Sequence, residues 1–193
     1  MYNQLKIIQI AALSVILFSS CSYNSMVSKQ EAVSSQWGEV QTMYQRRADL
    51  IPNLVNTVKG YATHEAQTLE AVTAARSKAT QITLSADDLT EEKLRKYQEA
   101  QGEIGSALGR LLAISENYPA LKADQGFRDL QAQLEGTENR IAVARNKFNE
   151  AVKDYNTYIR QFPRVIYAGW FGFESKAYFE AQPGAETAPK VEF

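Results

Sequence analysis

Residues 124–162 read DQGFRDLQAQLEGTENRIAVARNKFNEAVKDYNTYIRQF, and this stretch decides the fold. Phe127, Leu130, Leu134, Thr137, Ile141, Ala144, Phe148, Ala151, Tyr155, Tyr158 and Phe162 follow one another at alternating intervals of three and four, and only Thr137 is polar. That spacing puts them on one face of an α-helix, because 3.5 residues is close to one turn. No proline interrupts the run. At about 1.5 Å per residue such a helix extends roughly 60 Å. A helix of that length with one apolar face needs other helices to cover it.

Upstream, three more seams supply candidates. Tyr23, Met26, Val33, Trp37, Val40 and Tyr44 predict a first helix over 23–45. Ile51, Leu54, Val58, Tyr61, Leu69, Val72, Ala75 and Ile82 predict a second over 50–81. Leu94, Tyr97, Ile104, Leu108, Leu111 and Tyr118 predict a third, started by Thr90 with Glu91 and Glu92 in its first turn and stopped by Pro119. Gly102, Gly105 and Gly109 flank that third seam and predict close approach of a neighbouring helix. Between the first two seams, Asp49 can cap a new helix and Pro52 fits its first turn. The heptad register also runs straight through this junction, so one kinked helix of about sixty residues is the competing reading. A straight continuation would leave Trp37, Val40 and Tyr44 without partners, which favours a turn. The expected fold is all-α, an antiparallel up-and-down four-helix bundle with long helices.

The 193 residues suit one domain, and the formal net charge of −1 offers no basic field for nucleic acid. One Cys and one His exclude an intramolecular disulfide, a Cys-based zinc site and a multi-histidine metal site. No motif implies a cofactor or a catalytic set. His64-Glu65 are chain neighbours that do not face each other on a helix.

Lys6 is followed by the apolar stretch Ile7 to Phe18, too short for an ordinary span and suited to a signal peptide. It ends in Phe18-Ser19-Ser20-Cys21-Ser22, which resembles a lipobox. The resemblance implies acylation of Cys21, palmitate included, after removal of a signal over 1–20. An uncleaved signal anchor is the alternative. Either reading puts the bulk of the chain outside the cytoplasm. A domain over 21–181 then carries the helices and an aromatic C-terminal segment, and 182–193, rich in Pro, Gly, Ala and Glu, is expected to be a flexible tail.

Several stretches together resemble the LemA family of bacterial envelope proteins. They include Arg46-Arg47-Ala48-Asp49-Leu50-Ile51-Pro52-Asn53-Leu54-Val55, Val58-Lys59-Gly60-Tyr61-Ala62, Thr137-Glu138-Asn139-Arg140-Ile141-Ala142-Val143-Ala144-Arg145, Phe148-Asn149, Tyr155-Asn156 and Phe171-Gly172-Phe173. The resemblance implies a long helical bundle held at a membrane by its N-terminus, with no established activity and no catalytic residues to transfer. The expected function is therefore a non-enzymatic scaffold or adaptor for another envelope protein. The alternative is an envelope hydrolase or glycan-binding accessory whose site is assembled across helices.

Three features stand out as candidate surfaces. Asn139, Asn146, Asn149 and Asn156, joined by Lys153 and Arg160, form a second stripe on the last helix. Asn is a poor helix former, so four on one stripe point to hydrogen bonding, either to a partner or within the bundle. Arg46 and Arg47, with Asp49 and Asn53, form either a recognition cluster or a turn tied by ion pairs. Tyr167, Trp170, Phe171, Phe173, Tyr178 and Phe179 crowd into one short segment, which fits a lipid interface or a cap over the core.

Overall fold

A computed structural model describes residues 2–180, with side chains from Ser22 to Glu180. The Cys21 side chain, the expected lipid attachment, and the expected tail 182–193 lie outside the described residues, as do the side chains of the expected signal peptide.

The described chain is all-helical. Six α-helices occur in order: α1 (Tyr2–Tyr61), α2 (Ala66–Gln81), α3 (Glu91–Ile114), α4 (Pro119–Ala123), α5 (Gln125–Arg160) and α6 (Val165–Ala168). Short 3-10 turns follow α3 and α6, and no strand is present among the described residues. Both expected starts of the later helices hold. The Thr90 hydroxyl accepts from Lys93 N, and α5 is capped by Asp124, whose Oδ1 accepts from Phe127 N at 2.8 Å.

The first two expected helices are corrected. There is no turn at Arg46–Pro52: α1 runs unbroken to Tyr61, and the chain reverses at Ala62–Glu65 instead. Pro52 therefore sits inside a helix, where it has no N–H to give to the carbonyl of Ala48. Arg76 of α2 supplies the missing donor, its Nε reaching the Ala48 carbonyl at 2.8 Å. The helix survives its proline because a neighbouring helix completes the broken ladder.

The long pair α1 and α5 runs antiparallel. Tyr61 hydroxyl donates to Asp124, Arg47 meets Glu138, and Trp37 packs on Phe148. Toward the Tyr61 end, α2 and α3 lie against this pair as an antiparallel hairpin linked by Lys78 and Glu103. Ile51, Leu54, Val58, Val72, Ile104, Leu111, Phe127 and Leu134 form the core there. Toward the Tyr23 end, Met26, Val33, Trp37, Phe148, Val152 and Tyr155 form a second core. That core is closed by Leu84 and Leu89 of the α2–α3 link and by Phe173 and Phe179 of the C-terminal segment.

These covers are what the argument for a turn at Arg46 lacked. Trp37 does have partners in a straight α1: its indole N–H donates to Leu84 O at 2.8 Å, and Tyr97, Phe148 and Phe179 surround its ring. The seam of α5 is buried from Phe127 to Tyr155 except for half-buried Leu130 and Ala151, while Phe162 falls beyond the helix end and is exposed. Val152, Asn156 and Ile159 are also buried. A straight helix drifts ~20° per heptad against a 3.5-residue repeat, and the C-terminal segment covers the face that drifts in.

Candidate functional site

The Asn stripe resolves into two pairs. Asn156 accepts from Lys176 N at 2.9 Å through Oδ1 and donates through Nδ2 to Lys176 O at 2.8 Å. Asn149 does the same to Phe179, at 2.8 and 3.0 Å. A side-chain amide carries one acceptor and one donor group side by side, so it pairs with both main-chain groups of a single residue. The spacing fits. Seven residues of α5 rise about 10.5 Å, and three extended residues span about 10 Å. Two Asn side chains two turns apart therefore grip an extended chain at every third residue. Residue numbers rise along that segment as they fall along α5, so the two run antiparallel.

The clamp continues at Glu180, whose carbonyl accepts from Arg145 on α5 at 3.0 Å and from Gln98 on α3 at 3.1 Å. Arg145 also lies over the Phe179 ring. On the other side Ala177 N donates to Leu89 O, and Lys176 Nζ reaches Asp87 O at 2.9 Å. Only Asn156 and Asn149 take part; Asn146 and Asn139 are exposed, as are Lys153 and Arg160.

Beyond Arg145, α3 and α5 stand apart and leave a groove of about 760 Å³. Gln98, Gln101, Gly102, Gly105 and Gly109 form one wall, and Leu134, Glu138, Asn139 and Arg145 the other. Tyr44 and Arg47 of α1 also line it. The three glycines are not there for a neighbouring helix: a Cβ built at Gly102, Gly105 or Gly109 meets nothing within 4 Å. They instead keep one wall of the groove low.

Arg46 and Arg47 do not act together, because consecutive residues of a helix face different ways. Arg46 is exposed beside Asp49 and Asn53. Arg47 is buried, bonded to Gln101 O at 3.0 Å and Gln101 Oε1 at 2.6 Å, and paired with Glu138 at 2.9 Å. Its Nε has no partner among the described residues. Burial raises the hydroxyl pKa of Tyr44 and of Tyr97 beside it. Burial likewise pushes Tyr155 up to about 12. These phenols stay protonated and neutral in the core. His64 is exposed, and its neighbour Glu65 accepts from the Tyr118 hydroxyl at 3.2 Å. Among the described residues no group of three or more His, Cys, Asp or Glu side chains could hold a metal ion.

Sequence reasoning found the Asn stripe but not its occupant. The occupant is a segment 20 to 30 residues downstream that carries no periodic signal. The buried role of Arg47 was hidden by the turn expected around it.

Fold and clamp together define an all-helical protein that holds its own extended C-terminal segment by its backbone. The chain belongs to the LemA family, whose model matches residues 36–193. It is similar to magnetosome protein MamQ 1 of Paramagnetospirillum magneticum (strain AMB-1) and to MamQ of Magnetospirillum gryphiswaldense (strain MSR-1). Each is 28% identical over 198 residues, covering 92% of this chain and 73% of the relative. Protein LemA of Metamycoplasma hominis is 24% identical over 147 residues, which is 76% of this chain and 60% of that protein.

Proposed function

We propose that this chain is a non-enzymatic scaffold or adaptor of the bacterial cell envelope. Its N-terminus holds it at a membrane, through acylated Cys21 or an uncleaved anchor, with the bulk of the chain outside the cytoplasm. We read its four longer helices as an up-and-down bundle standing on that anchor. Its α3–α5 groove takes an extended segment of another envelope polypeptide. One observation carries the reading: Gln98 and Arg145, which line the groove, also bond the Glu180 carbonyl at the end of an extended chain that Asn149 and Asn156 hold by its main chain. Recognition through backbone groups, with glycines leaving room for the incoming chain, is the logic of peptide-binding grooves.

The competing reading, a hydrolase or glycan-binding accessory, calls for carboxylates converging from different helices. Glu135 and Glu138 on the groove both come from α5, and Glu138 is turned to Arg47. That arrangement favours the adaptor.

The test is a photo-crosslinking residue at Gly105 in native membranes, beside a control at exposed Arg140. A discrete adduct at Gly105 alone, retained in a chain ending at Glu180, supports a partner segment. An adduct that disappears with that truncation reports the chain's own C-terminus. No adduct at Gly105 sinks the adaptor reading.

A further inference from the structure

The C-terminal aromatic segment splits into two parts with opposite fates. Ala168, Phe173 and Phe179 are buried and close the core at the Tyr23 end. Phe162, Val165, Ile166, Trp170 and Phe171 are exposed, with Trp170 at 82% and Phe162 at 80%. Ile166 and Trp170 lie four residues apart across α6 and the 3-10 turn after it, which puts them on about the same side, and Phe162 stands in the turn just before them. A contiguous group of large apolar side chains on an otherwise polar surface marks a contact site.

The position of this group is fixed by its rings. Phe171 packs edge-on against Tyr23 at 5.3 Å, Phe173 does so at 5.5 Å, and Tyr167 in turn packs on Phe171. Tyr23 stands two residues past Cys21. Acylation of Cys21 and an uncleaved anchor through Ile7–Phe18 would both bring lipid to this end of the molecule. The chemistry of the patch agrees: Trp and aromatic residues favour the headgroup region. Arg160 and Arg164 flank Phe162 in the chain, and Lys29 and Arg164 both lie against the Tyr158 ring, giving a basic margin suited to anionic headgroups.

We infer that Ile166 and Trp170, with exposed Phe162 in the turn before them, insert into the interfacial layer of the bilayer, as a second foot beside the N-terminal anchor. The inference rests on the membrane location proposed above. Two points of contact fix the tilt of α1 and α5, where one flexible anchor would leave the rod free to swing. The clamp at Asn149 and Asn156 ties the segment after the foot to α5, so the foot and the groove keep a constant relation to the membrane.

The sequence has two tryptophans, Trp37 and Trp170, which makes the test direct. Full-length Trp37→Phe protein is reconstituted into phosphatidylcholine–phosphatidylglycerol vesicles with and without bromine on the acyl chains. Trp170 emission is expected to shift to the blue and to lose intensity only in the brominated vesicles. Should Trp37→Phe fail to fold, the difference between wild type and Trp170→Phe reads the same signal. A chain held on the vesicles with water-like, unquenched Trp170 emission overturns the inference and leaves the membrane location standing. Blue-shifted but unquenched emission assigns the patch to a second copy or a protein partner, and likewise overturns it. A chain that does not associate with vesicles removes the membrane location and the foot together.

Discussion

At one end the α1–α5 pair is covered by two helices; at the other it is covered by a link and an extended segment. The helical cover relies on periodic apolar faces, with Leu69 and Val72 of α2 and Ile104 and Leu111 of α3 meeting Ile51, Leu54 and Phe127. The extended cover relies on a few large rings and on main-chain groups taken up by side chains, with Trp37 as the hub. Both exclude water from the same two helices. The helical cover brings its own backbone bonds with it, whereas a lone extended segment must find partners for every main-chain group it buries. Asn149 and Asn156 supply them.

Breaking the hub is the strongest test of this contrast. Trp37→Ala removes three ring contacts and the bond to Leu84 O, and should cost about 3–5 kcal/mol of unfolding free energy. Urea denaturation checks it, and hydrogen exchange should show the half at the Tyr23 end opening first. Asn156→Ala and Asn149→Ala should each cost about 1–3 kcal/mol, because two bonds to half-buried main chain are lost. Exchange protection should fall at the amides of Lys176 and Phe179 while α2 and α3 keep theirs. Asn146→Ala and Asn139→Ala, at exposed positions, should stay within about 0.5 kcal/mol.

The helical half is sharpened by a cycle at its proline. Arg76→Ala orphans the Ala48 carbonyl and should cost about 1–3 kcal/mol. In a Pro52→Ala background that cost should shrink sharply, because residue 52 then donates its own N–H to Ala48. Equal costs in both backgrounds would remove Arg76 from the explanation of the unbroken helix. Gly105→Ala should stabilise by up to ~1 kcal/mol, since helix propensity improves and the new Cβ meets open space.

The smallest effect is the acid limb. The Asp124 carboxyl is held below its ordinary 3.8, first by the Phe127 N–H and then by the Tyr61 hydroxyl. A lowered folded pKa gives stability that is present above 3.8 and is lost as pH falls through the folded value. Asp124→Ala should flatten that part of the stability profile.

How much of this was legible follows from where each signal resides. The α5 stripe and the Thr90 start are patterns of side chains along one segment, readable without neighbours. Local rules misread Arg46–Pro52, because Asp49 and Pro52 do suit a helix start. Those rules carry no information about Arg76, 28 residues away along the chain. Gly102, Gly105 and Gly109 were visible as costly residues, but their open surroundings were not. The Asn stripe announced hydrogen bonding; which groups answered depended on how the chain returned after Phe162.

By itself the sequence determined that the chain is helical, which faces are apolar, and which amides stand off the seam. Periodicity and caps are set by residues within a turn or two of each other. Tertiary structure decided that α1 continues through Pro52, that Arg47 is buried, and that Asn149 and Asn156 hold an extended segment while Trp170 is exposed. Each of these turns on a partner far away in the chain, and a buried polar group takes whichever partner the packing brings within reach.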